Sequence, residues 1–226
     1  MMQIFESRLA LAEALARDTA NALARYIQEQ GQAMLAVSGG TTPGLFFAAL
    51  SRLDLEWSRI VVTLVDERWV PEDNPRSNAG LVRRHLLVGP AAKARLIPLY
   101  NGAPTPAAGL KRLEDTISAQ TLPLAAAILG MGEDGHTASF FPGGDNLEAA
   151  LNPPSGRLLE SMTAPGAGEP RVTFTLPVLL QAAFLALHIE GERKREVLTA
   201  AQAPGAEAEM PVRAVLRRNV PVYWCP

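Results

Sequence analysis

Short apolar runs that end in glycine and hand over to helix-period stretches constrain this chain more than any other feature. Ala33-Met34-Leu35-Ala36-Val37 gives way to Ser38-Gly39-Gly40-Thr41-Thr42-Pro43, after which Gly44 to Leu50 takes up a helical pattern. Ile60 to Val65 reads as a buried strand, Ser77 to Leu87 as a helix, and Leu124 to Leu129 as a strand running into Gly130-Met131-Gly132. Arg171 to Leu176, Ala183 to Ile189 and Val220 to Trp224 read as further strands and Glu192 to Ala201 as a helix. Ahead of them all, Leu9, Leu11, Leu15, Leu23 and Ile27 lie in an Ala-rich background that predicts a long helix from Ser7 to Gln30, stopped by Gly31. Uniformly apolar strands separated by helices imply an α/β fold, a mostly parallel sheet with helices on both faces.

With 48% apolar and 19% charged residues, the chain carries enough buried surface to offset its conformational entropy. Its 226 residues suit one α/β unit, so a single domain over 1–226 is expected. The Pro-, Gly- and Ala-rich segments Asn101 to Gly109, Asn152 to Gly156 and Ala164 to Pro170 are too short for linkers and read as surface loops. Lys and Arg number 21 against 23 Asp and Glu, so nothing in the overall charge draws the protein to nucleic acid or to an anionic membrane. Any anion must be bound locally. The one cysteine, Cys225, can build neither a disulfide framework nor a zinc cluster, which fits a reducing compartment. The stretch Met1 to Ala10 lacks the pattern of a secretory leader, and no run of eighteen apolar residues follows, so the cytoplasm is expected.

Three turns could carry chemistry. The glycines of Ser38-Gly39-Gly40-Thr41-Thr42-Pro43 let backbone N–H groups converge, and Thr42 could cap a helix starting at Pro43, an arrangement that attracts phosphate. An ordinary strand-to-helix turn would look the same. Asp66-Glu67-Arg68 follows a strand at the sheet edge where α/β proteins place ligands, or else forms a solvated loop with a Glu67–Arg68 ion pair. Ile128 to Ser139 is the most informative, because Asp134 and His136 stand together in a glycine-dense turn. An imidazole titrates near ~6.5 and can take a proton from water, while a neighbouring carboxylate orients it and steadies its cation. The competing reading is a helix-capping Asp beside a surface His. His85 and His188 fall in a helical and an apolar strand pattern and read as structural. No His-Glu-x-x-His or paired-cysteine spacing points to a metal. Arg171 and Lys194 could neutralise a phosphate dianion as fork and point charge.

In order along the chain, these pieces make the sequence resemble the 6-phosphogluconolactonases, within the wider glucosamine-6-phosphate deaminase and sugar-phosphate isomerase superfamily. The matching segments are Ser38 to Pro43; Asp66-Glu67-Arg68 with Pro71 and Ser77-Asn78; Gly130 to Ser139 with Phe141-Pro142-Gly143; Arg171, Thr173 and Thr175-Leu176-Pro177; and Gly191 with Lys194. Thr137-Ala138-Ser139 takes the lactonase side, where the deaminases usually continue Ile-Ala-Phe-Asn-Glu-Pro. Phe140-Phe141 and Thr41-Thr42 depart from the usual family pairs without removing a functional group.

The resemblance implies a Rossmann-like fold of the isomerase/deaminase type and hydrolysis of 6-phospho-D-glucono-1,5-lactone, the second step of the oxidative pentose phosphate pathway. It implies no cofactor, a small-molecule sugar-phosphate partner, and a monomer or weak homodimer. His136 would act as base with Asp134 behind it. Ser38, Gly39, Gly40, Thr41, Thr42, Arg171 and Lys194 would hold the phosphate, with Asp66 and Arg68 near the sugar. An amino-sugar phosphate deaminase would use the same pocket, and a sugar-phosphate sensor would need a DNA-binding helix pair for which no segment is spare.

Overall fold

The structure, a computed structural model, describes residues 2–226. Met1, where the leader reading begins, lies outside the described residues.

Seven parallel strands form the main sheet, in the order β1 (Met2–Ile4), β10 (Val222–Cys225), β9 (Phe184–Glu190), β6 (Ala126–Leu129), β2 (Ala33–Val37), β3 (Ile60–Leu64), β5 (Arg95–Leu96). The central strands β2, β3 and β6 are buried along their whole length, which is why they read as apolar runs, interrupted only by Thr63, whose Oγ1 donates to the Ile97 carbonyl at 2.9 Å. The long first helix, α1 (Arg8–Gln30), starts where Ser7 accepts the Ala10 N–H. It ends at Gly31, whose left-handed φ of 80° lets its N–H reach the Ile27 carbonyl. The stretches α2 (Gly44–Leu50) and α3 (Asn78–His85) also occur where the pattern placed helices.

Two features depart from the sequence reading. The segment from Pro106 is no loop: Thr105 caps the Ala108 N–H and Pro106 opens α4 (Pro106–Ser118), so only Asn101 to Thr105 is irregular. Beside the expected mostly parallel sheet stands a second, antiparallel sheet of β4 (Asp66–Arg68), β8 (Arg171–Phe174) and β7 (Leu159–Met162), which the sequence reading does not contain. α5 (Leu147–Leu151) precedes this ribbon's β7, and the stretch that starts at β8 turns at Thr175 into α6 (Leu176–Leu180) rather than staying extended to Leu176.

Val65 joins the two sheets. Its N–H donates to the Val37 carbonyl in the main sheet, and its carbonyl accepts from Phe174 in the small one. The chain thus leaves β3 and enters β4 through one residue, carrying Asp66 and Arg68 onto a fixed ledge beside the ends of β2 and β6. The remaining helices, α7 (Glu192–Gln202) after β9 and α8 (Val212–Leu216) before β10, complete the cover. No helix among the described residues is long and apolar enough to cross a membrane.

Candidate active site

β2 has β3 on one side and β6 on the other, so the connections leaving these strands diverge and open a crevice at their carboxyl ends. A cavity of about 270 Å³ occupies it. Ser38 closes its base: the Ser38 N–H and Oγ both donate to the Ile128 carbonyl, at 3.0 and 2.9 Å, and Oγ accepts the Gly130 N–H at 3.0 Å. One hydroxyl therefore clips the end of β2 to the end of β6. That corrects the expected amide cradle, because the Ser38 N–H is already engaged. The N–H groups of Gly39, Gly40, Thr41 and Thr42 donate to nothing among the described residues. Gly40 holds φ 92°, a conformation few side chains tolerate. Thr42 does not cap α2 either; Pro43 occupies that place and no side chain bonds the helix end.

The β4 ledge forms a second wall. Asp66, 5% exposed, accepts through Oδ2 from Ser139 Oγ at 2.5 Å and from Arg171 Nη1 at 3.4 Å. Arg171 donates from Nη2 to the Ala167 carbonyl at 2.7 Å and lies over the Phe141 ring, 5.3 Å from its centroid. Burial lowers the Arg171 pKa and the Asp66 charge opposes the shift. Arg68 donates through Nη1 to the Arg76 carbonyl at 2.5 Å. Its Nε, the Nε of Arg171 and Oδ1 of Asn78 are buried without partners, three unused polar atoms on residues that line one cavity.

Glu67 is not the surface ion-pair partner of Arg68. It is 0% exposed, and its carboxylate accepts the N–H groups of Arg68, Asn78 and Ala79, each at 2.8 Å, and the Ser77 hydroxyl at 3.1 Å. It ties the start of α3 to β4. Burial pushes its carboxyl above the usual range, and the three N–H groups draw it back.

His136 stands on the turn after β6. Its Nδ1 lies 2.6 Å from Asp134 Oδ1, which also accepts the His136 backbone N–H at 3.1 Å. The ring stacks on Phe141 with centroids 4.2 Å apart and planes inclined by 28°. A Cβ on Gly132 would fall 2.0 Å from His136 Nδ1, so the close approach of turn and ring requires glycine there. With Nδ1 on the carboxylate, Nε2 is the nitrogen left for chemistry.

Partial burial opposes ionisation of Asp134, but the hydrogen bond and charge of His136 outweigh it and hold the carboxyl below its ordinary value. A depressed carboxylate stabilises the fold above the unfolded value of ~3.9, and that contribution is lost as pH falls through the lowered folded value. Asp134→Asn should therefore lose less stability than the parent between about pH 5 and pH 3. Urea midpoints across that window check it, and parallel losses would count against the pair.

Lys194, in the first turn of α7, lines the same cavity, its pKa lowered by desolvation against the opposing charges of Glu133 and Asp134. Ser38, Gly39, Gly40, Thr41, Thr42, Asp66, Arg68, His136, Arg171 and Lys194 thus surround one space, with Asp134 behind the His136 ring. Two further polar side chains on the wall, Asn78 and His188, have no role in the sequence reading. Asn78 enters that reading only within the matching Ser77-Asn78 segment, and its Nδ2 donates to the Asp66 carbonyl at 2.9 Å. His188 was taken for core because its neighbours are apolar.

The family model for glucosamine-6-phosphate isomerases/6-phosphogluconolactonase matches residues 6–224. The chain belongs to this family. Within it, a Rhizobium meliloti 6-phosphogluconolactonase is 54% identical over 228 residues, covering 100% of this chain and 98% of that protein. A Pseudomonas aeruginosa 6-phosphogluconolactonase is 45% identical, covering 100% and 94%. Among solved structures, a 6-phosphogluconolactonase from Shewanella baltica superposes with a TM-score of 0.96 at 36% identity, covering 100% of this chain and 97% of that one. The fold described above, a largely parallel sheet with helices, is shared with this structural neighbour.

Proposed function

We propose that this chain hydrolyses 6-phospho-D-glucono-1,5-lactone to 6-phosphogluconate, the second step of the oxidative pentose phosphate pathway, with His136 as general base. Relatives 54% and 45% identical, matched over 98% and 94% of their own length, carry the 6-phosphogluconolactonase name. The observation that carries the mechanism is the 2.6 Å Asp134–His136 pair in the same cavity as the unpartnered amides of Gly39 to Thr42.

The phosphate is held by those amides with Lys194 and Arg171, which fixes the ring relative to His136. Nε2 of His136 removes a proton from water as its oxygen bonds to C1, and Asp134 steadies the imidazolium from Nδ1. The tetrahedral oxyanion then collapses, the bond from C1 to the ring oxygen breaks, and Nε2 returns its proton to that oxygen. The product acid ionises and releases one proton to solvent. Arg68 supplies fixed positive charge near the developing oxyanion, and Asp66 faces the sugar. The reaction runs in the cytoplasm, with Cys225 buried and unpaired.

Proton release from freshly made lactone, corrected for spontaneous hydrolysis, tests the reading beside ammonia release from glucosamine-6-phosphate. Turnover of the amino sugar alone overturns it. Lys194→Ala should raise KM about tenfold or more, the loss of one charge-assisted hydrogen bond, with little change in kcat. An unchanged KM removes Lys194 from the phosphate.

A further inference from the structure

The cavity carries a second imidazole that this mechanism leaves idle. His188, in β9, lines the space and is only 3% exposed. A polar ring so enclosed is costly unless its nitrogens are partnered. Nε2 lies 3.1 Å from Glu190 Oε1, and Glu190 Oε2 in turn accepts from Arg8 Nε at 2.5 Å. Phe46 meets the ring edge-on, centroids 6.3 Å apart. The ring's hydrogen bond among the described residues is made through Nε2, and none is made through Nδ1.

Glu190 is a charged anchor: burial opposes its ionisation, but His188 and Arg8 together hold the carboxyl below its usual range. The other ionisable groups on the same cavity are Lys194, His136, Asp66, Arg68 and Arg171, and the buried Cys225 thiol lies beside Glu190. A carboxylate on Nε2 fixes that nitrogen as an N–H and leaves Nδ1 as the ring nitrogen open to a ligand in the cavity that His188 lines.

The geometry points to His188 as a further ligand of the substrate's phosphoryl group, donating Nδ1–H to a phosphate oxygen while Nε2–H stays on Glu190. The ligand class is a phosphate monoester dianion, whose charge draws a proton from solvent onto Nδ1. No covalent bond other than N–H forms. This rests on the proposed function only in seating the phosphate at that wall, and it assigns to substrate binding a residue whose sequence setting reads as core.

The chain has three histidines, so their imidazole resonances can be assigned by single replacement. Titrating the wild-type protein with inorganic phosphate should shift the His188 signals saturably toward the imidazolium position and leave the exposed His85 unmoved. Unmoved His188 signals, or no saturable response at all, overturn the inference. In kinetics, His188→Gln should raise KM for the phosphorylated lactone about tenfold, with kcat and the hydrolysis of unphosphorylated glucono-1,5-lactone little changed. Equal losses on both lactones mean that the ring only packs, which also overturns it. A wild-type protein that fails to turn over the lactone while His188 still answers phosphate removes the proposed reaction and leaves this assignment standing. Normal turnover with a silent His188 does the reverse.

Discussion

His136→Ala should fold like the parent and lose about 10²–10⁴-fold in kcat on the lactone, the usual worth of a positioned general base. The ring makes few contacts that hold the fold: it is partly exposed, bonds Asp134, itself on the surface, and stacks on Phe141. The main-chain turn beneath survives its removal, since the Gly132 N–H still meets the carbonyl of residue 136 at 2.8 Å and Thr137 Oγ1 still bonds the Gly130 carbonyl at 2.7 Å. Phosphate binding should persist, because the Gly39 to Thr42 turn is held through Ser38 rather than through the imidazole. Initial rates read against the uncatalysed hydrolysis, with a melting curve on the same sample, decide it. A folded variant that turns over like the parent removes His136 from the reaction.

The second large effect falls on stability. Glu67→Ala strips the acceptor from three main-chain N–H groups and one hydroxyl inside a buried joint, so a loss of about 3 kcal/mol or more is expected, at about 1–3 kcal/mol for each buried donor left unsatisfied. For a domain of this size the melting temperature should fall by roughly 10 °C or more. Glu67→Gln retains one carbonyl acceptor and should recover part of the loss. A melting temperature within a degree or two of the parent's would mean that β4 and α3 hold together without the carboxylate.

What the sequence disclosed and what it hid have a common cause. β2, β3 and β6 are covered on both faces, so every residue in them is buried, all but Thr63 are apolar, and the run itself is the signal. Asp66-Glu67-Arg68 is a strand whose first side chain is satisfied by partners far along the chain, Ser139 and Arg171, and whose backbone pairs with the equally distant Arg171 to Thr173. No local pattern records such pairings. The Pro106 helix was legible, since Thr105-Pro106 has the form of a cap followed by a first helical proline, but the surrounding Pro and Gly outweighed it. Of the candidate site, the Gly-rich turns and the Asp134–His136 spacing are local and could be read directly. The unshared atoms of Asn78, Arg68 and Arg171 are visible only once three separate segments meet.

The Ser38 hydroxyl belongs at once to the strand before the anion-facing turn and to the strand before the base. The Gly39 to Thr42 turn and the imidazole therefore stand on a gauge whose width is set by adjacent strands. On the proposed function such a gauge measures its guest: a phosphorylated lactone one carbon shorter is expected to turn over poorly, since it would have to seat its dianion and offer its carbonyl across the same spacing of two neighbouring strands.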